Sequence, residues 1–188
     1  SRLAGMVGEY ALEDITGIPA EVEQAAEFRY RNPILDPHDL VLAVSQSGET
    51  ADTLAAVREA KQKGALVAGI CNVVGSTIAR ETGRGVYLHA GPEISVASTK
   101  AFTCQVSVLL MIALRMARSR RLSREQGVRI AQELHLLPER ISEVLAENDR
   151  IAAVAERIAG HNHAFYIGRG YLYPVALEGA RLKITNSQ

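Results

Sequence analysis

Three short apolar runs constrain this chain more than any other feature. Asp39 to Val44, Ala65 to Asn72 (ALVAGICN) and Gly85 to His89 (GVYLH) read as buried strands, not as stretches that alternate with polar residues. A strand with one wet face alternates; a strand apolar throughout is covered on both faces, as in parallel sheets flanked by helices. Between the runs lie helix-length segments. Thr50 to Lys63 sets Leu54, Val57 and Ala60/Lys61 on one face and meets a stop at Gly64. Buried strands separated by helical crossovers predict an α/β fold with a parallel sheet.

The flanks extend this pattern. Leu3 to Ile15 carries a helical apolar period that ends near Gly17 and Pro19, and Glu21 to Tyr30 reads as a short strand of weak alternation. From Ser98 onward the pattern becomes helical only. Ser98 to Met116 is long and apolar; Ser123 with Gln126 three residues later has capping-box spacing. Pro138 suits the first turn of a further helix, and Asn148 suits the cap of Asp149 to Ile158, which Gly160 ends. Ala164 to Ile167 (AFYI) then reads as a strand, followed by GRG and a helix from about Tyr173. The expected organisation is one α/β unit over 1–120, connector helices over 121–162, and the start of a second unit over 163–188. A faint echo of Ser1–Glu9 in Gly170–Glu178 fits such a duplication.

Charge limits the partners. Lys+Arg and Asp+Glu balance at 21 each, so no overall field draws the chain to nucleic acid or an anionic membrane, and any anion site must be built locally. The run Arg115 to Arg124 lacks the aromatic platforms that RNA binding would need and reads as a solvated helix end. Val106 to Leu114 is shorter than the roughly 20 apolar residues that span a bilayer. Cys71 and Cys104 lie in apolar surroundings without CxxC spacing, as reduced thiols of a cytoplasmic protein would. Among five histidines only His161 and His163 are paired, with no carboxylate or thiol at ligand spacing, so no metal site is expected. The opening Ser1-Arg2, with no signal peptide, reads as a fragment start.

The chemistry gathers where strands end. Ligands of open parallel sheets sit beyond the carboxyl ends of the strands. After the first buried run comes SQSGET, with Ser45, Ser47 and Thr50 as hydroxyl donors, Gly48 for close backbone approach, and a helix N-terminus directly behind. Such a turn suits a phosphate that is held and not transferred, because the lysine of a P-loop is missing. The alternative is a serine-rich turn with Thr50 as a plain helix cap. Gly91 to Lys100 (GPEISVASTK) is a second hydroxyl-rich turn, with Ser98 or Thr99 as the cap. Lys100 stands against the helix dipole there, which calls for an anionic partner, either ligand or carboxylate. Asn72 to Ser76 (NVVGS) is a third. A flavin carrier would share a hydroxyl-rich loop, but aromatic residues are only 5% and none lies near residue 50.

SQSGETADT, CNVVGSTIARET, AGPEISVASTKAFTCQ, LPERISEVL and YIGRGYLYPVALEGA together resemble the isomerase part of the glucosamine-6-phosphate synthase family, the glutamine:fructose-6-phosphate amidotransferases. The resemblance runs through nearly the whole chain. It implies two sugar isomerase (SIS) units, each a flavodoxin-like α/β/α sandwich. Here the first would lack its opening strand and the second would only begin. It implies a full enzyme that makes glucosamine 6-phosphate from fructose 6-phosphate and glutamine, with a glutaminase domain releasing the ammonia and no cofactor. The phosphosugar partners would be fructose 6-phosphate, glucose 6-phosphate and glucosamine 6-phosphate, and the assembly a homodimer. Carried over by residue, the phosphate grip falls on Ser45, Gln46, Ser47 and Thr50, Ser1 matches the last residue of the family's GTS turn, and Val96 and Ser98 match the turn that closes over the sugar. Departures are Ser95 for glycine, Arg2 for an aromatic, and ALEGARLKITNSQ where the family carries ALEGALKLKE and its proton-shuttling glutamate. The ring-opening histidine and the Schiff-base lysine of the family have no counterpart here. The expectation is a chain that binds sugar phosphate without turning it over. A stand-alone phosphosugar sensor is the competing reading.

Overall fold

The computed structural model describes residues 1–94 and 98–185. Its centre is a three-stranded parallel sheet in the order β1 (Leu40–Ser45), β2 (Leu66–Cys71), β3 (Gly85–Tyr87). Leu40 pairs with Leu66 and Ser45 with Cys71, while Cys71 pairs in turn with Tyr87. That register aligns the carboxyl ends of all three strands in one row, so the turns that follow them share one edge.

Alternation along the strands divides the core in two. Ala43, Val67 and Cys71 face Val57 and Ala60 of α3 (Ala51–Gln62) and Ile78 of α4 (Thr77–Thr82). On the opposite face Ile70, with Leu42 and Val44 beside it, meets Leu88 and Val108 and Leu109 of α5 (Lys100–Arg118). Helices on both faces of a parallel sheet make the expected α/β/α layering. α5 is, by length and composition, apolar enough to cross a bilayer, which the sequence reading had not anticipated; here its apolar side packs on the sheet.

α1 (Arg2–Ala11) lies against α5 at close range: a Cβ on Gly8 would stand 2.9 Å from Leu109 Cδ1. It runs on into a π-helical turn, Leu12–Thr16, closed by Gly17 at φ 69°. The Arg121 guanidinium donates to the carbonyls of Glu13, Asp14 and Ile15 at that end. One arginine of the basic run is therefore a carbonyl clamp on a helix C-terminus and not merely solvated. α6 (Arg124–Ala146) begins at Ser123 with both bonds of the expected capping box. α7 (Asn148–Ile158) and α8 (Leu172–Thr185) follow. Tyr171 O–H donates to Asp14 Oδ2 at 3.1 Å, and burial, then Asp14, pushes this phenol up to about 12. It stays a donor that ties the segment before α8 to the end of α1.

Four expectations fail. Glu21 to Tyr30 holds no strand; its second half is α2 (Ala25–Tyr30), where Phe28 packs on the core and Arg29 reaches Asp52 at 3.6 Å. Pro138 opens no new helix but sits inside α6, on an exposed face, where one missing N–H leaves the flanking turns to carry the helix on. Asn148 is the first residue of α7, and Glu147 holds the cap position. Ala164 to Ile167 is not a strand: no described strand pairs with it, and Phe165 and Ile167 are each 93% exposed. A β-strand without a neighbour has no partners for its backbone, however suitable its side chains.

Replacing Ile78, which is fully buried between α4 and the sheet, by Ala should lower the unfolding free energy by about 2–5 kcal/mol. Urea unfolding checks this, with half-exposed Val128→Ala as the comparison expected to change little.

Candidate functional site

The loop Ser45 to Thr50 leaves the end of β1 and enters α3. Ser45 is buried and its Oγ accepts the Gly48 N–H at 3.0 Å; Ser47 Oγ accepts the Glu49 N–H at 3.2 Å. Each hydroxyl is used by the protein as an acceptor, which leaves its own proton to donate. Thr50 occupies the N-cap position of α3 without a side-chain cap bond, and it is exposed. Thr50 thus holds the position the plain-cap alternative gave it, while its hydroxyl makes no cap bond. Behind it stand the unpaired first-turn amides of a 12-residue helix. Asp52 in that turn is engaged by Arg29. Gly48 is required twice over: its φ is 68°, and a Cβ there would lie 2.1 Å from Ser76 Oγ.

One buried side chain joins the three turns. Asn72, at the end of β2, donates Nδ2–H to the Gly91 carbonyl at 2.8 Å and accepts the Ala90 N–H on Oδ1 at 2.9 Å. Its backbone N–H donates to the Gln46 carbonyl at 3.2 Å. The turn after β2 is thereby tied to those after β1 and β3. Nothing in the residue pattern alone marked Asn72 for this role beyond its place at the exit of a buried strand.

Two glutamates cap helices. Glu49 Oε1 accepts the Thr77 N–H at 2.8 Å, and Glu93 Oε2 accepts the Ala101 N–H at 3.1 Å. The second bond sets a carboxylate at the start of α5. Thr99 holds the cap position expected of Ser98 or Thr99, without a side-chain bond.

Of the other carried-over residues, Ser1 precedes α1 and its Oγ accepts from Nε2 of Gln105, a residue only 2% exposed in the second turn of α5, at 2.9 Å. This hydroxyl too keeps its proton. Gln105 was legible as a polar residue in an apolar helix, yet its partner was not. Ser98 is half-buried just before α5, and Val96 lies outside the described residues. In the departing segment, Glu178 is buried and paired with Arg181 at 2.6 Å. Burial pushes the Cys71 and Cys104 thiols up, and neither forms a disulfide. Among the described residues no three His, Cys, Asp or Glu side chains stand together as a metal could use them.

Asn72→Ala should cost about 1–3 kcal/mol, because it strands the Ala90 N–H and the Gly91 carbonyl. Hydrogen exchange at Ala90 should quicken more than at sheet amides distant from the turn.

Comparison with known proteins identifies the family of this fold. The family model described as SIS domain matches residues 1–115. The chain is 55% identical over 177 residues to the glutamine--fructose-6-phosphate aminotransferase [isomerizing] of Chlorobaculum tepidum, across 94% of this chain and 29% of that protein. It is 53% identical to the protein of the same description from Bacteroides thetaiotaomicron, again over 94% and 29%. The chain thus spans about 29% of the length of these relatives. Among solved structures it is similar to the C-terminal domain of glucosamine-fructose-6-phosphate aminotransferase from Francisella tularensis. The TM-score is 0.92 at 37% identity, over 96% of this chain and 51% of that one. With the model matching more than half its length, the chain belongs to the SIS domain family.

Proposed function

We propose that this chain is part of the isomerase domain of an aminotransferase that makes glucosamine 6-phosphate from fructose 6-phosphate and glutamine. Its task is to hold the phosphate of the hexose, as fructose 6-phosphate, glucose 6-phosphate or glucosamine 6-phosphate. The observation that carries this reading is the loop at the end of β1. There, Ser45 and Ser47 have hydroxyls already accepting from the backbone, and Thr50 has its hydroxyl free of the cap, in front of the α3 N-terminus. Donors of one polarity suit an anion that must be gripped and left unreacted. Gln46, beside them, completes the grip, with Ser1, Val96 and Ser98 as further contacts to the sugar.

Under this reading the phosphate end is bound by this chain, while a positioned acid and base for the carbonyl shift come from elsewhere in the enzyme. A glutaminase domain supplies ammonia there. The chain taken alone binds sugar phosphate and does not turn it over. Domain limits of 1–120 for the first unit, 121–162 for the connector and 163–188 for the start of a second are part of the same proposal. Two unpaired thiols suit a reducing compartment such as the cytoplasm.

Self-association belongs to the proposal too. Val144, Leu145, Ile151, Val154, Ile158 and Phe165 are all more than half exposed, an apolar surface that a second subunit would cover. Light scattering should show a dimer or larger; a monodisperse monomer would count against it.

Calorimetric titration with glucose 6-phosphate tests the site. The unmodified chain should bind, and the double variant Ser47→Ala/Thr50→Ala should lose at least about tenfold in affinity, as two polar contacts to a charged group are removed. Equal heats from both would refute the assignment.

A further inference from the structure

Glu49 is an odd residue to find inside an anion cradle. It lies between Gly48 and Thr50, and a carboxylate pointing into the loop would repel a phosphate. The fold turns that charge away. Glu49 Oε1 accepts the N–H of Thr77, the first residue of α4, at 2.8 Å. The neighbouring amide makes the companion bond: Ile78 N–H donates to the Gly48 carbonyl at 3.0 Å. Two successive amides of α4 thus hold two successive residues of the loop. Underneath, the Ser76 side chain fills the space that any Cβ on Gly48 would need.

We propose that Glu49 is a positioning residue for the phosphate loop: by capping α4 it fixes the backbone that presents Ser47 and Thr50, and it keeps its own charge off the ligand. This inference rests on the phosphate reading above. The Thr77 hydroxyl and amide, with Arg80 adding attraction, hold the Glu49 carboxyl below the usual range, so the cap is ionised at neutral pH. Arg80 also braces α4 itself, donating to Thr77 Oγ1 at 2.8 Å and to the Gly75 carbonyl. Removing Arg80 therefore loosens the same helix without cutting either bond to the loop.

The test compares four forms of the chain by calorimetry with glucose 6-phosphate, and with inorganic phosphate as the minimal probe. Thermal melting is followed alongside. E49A should weaken binding of both probes by roughly five- to tenfold, the size of one lost cap interaction. E49Q retains an oxygen that can accept from Thr77 and should stay within about twofold of the unmodified chain. R80A should lose melting temperature and weaken binding of both probes clearly less than E49A, since it leaves both bonds between α4 and the loop in place. If E49A binds normally, if E49Q is as weak as E49A, or if R80A weakens binding as much as E49A, the positioning role is overturned and the phosphate reading stands. If the unmodified chain itself binds neither probe, the phosphate reading falls and this proposal falls with it.

Discussion

The edge where the site lies depends on one side-chain amide. Parallel strands end in turns that have no reason of their own to keep company, since each turn leads to a different helix. Asn72 removes that freedom by bonding to Ala90 and Gly91 after β3 with its side chain and to Gln46 after β1 with its backbone. Because it is 9% exposed, these bonds face little competition from water, and losing one partner would leave a desolvated group unmatched. The sheet aligns the strand ends; Asn72 turns that alignment into a single surface.

On that surface the fold treats hydroxyls and carboxylates in opposite ways. Ser1, Ser45 and Ser47 are each approached by a protein N–H, which orients them as donors toward whatever arrives. Glu49 and Glu93, the acidic residues of the two flanking turns, are each drawn to the amide of a following helix. Negative charge is taken up internally, and donor capacity is left at the edge. A chain with equal numbers of acidic and basic residues can in this way leave hydroxyl donors and helix amides together at one edge without a lysine in the loop from Ser45 to Thr50.

Much of this was legible in the sequence, and the failures share a cause. The three strand positions, α3, α5 and the Ser123 cap rest on local pattern, and local pattern carried them, although β3 is an exposed edge with Val86 44% exposed and not the buried strand expected. The hydroxyl loop was visible because serine, glycine and threonine are informative wherever a strand gives way to a helix. What stayed hidden depends on partners distant along the chain. AFYI has strand composition but no neighbour to pair with among the described residues, and Pro138 sits where an exposed helix tolerates one absent bond. The helix at Ala25 is held by Phe28 against the core, across from residues it does not adjoin in sequence. Glu49, Glu93, Asn72 and Gln105 carry roles set by contacts 28, 8, 18 and 104 residues away. The short span of Glu93 shows that separation alone is not the obstacle; the turn between must also be known.

Arg121 has a mechanical meaning beyond its hydrogen bonds. It sits in the bend between α5 and α6 and grips three carbonyls of the π-helical turn that continues α1. α1 is a rod about 15 Å long, from its ten residues at the usual rise, and Ser1 stands at its other end beside Gln105. Arg121 at one end and the Ser1–Gln105 bond at the other therefore pin this rod along α5, so the place of the first serine is set from both ends of one helix.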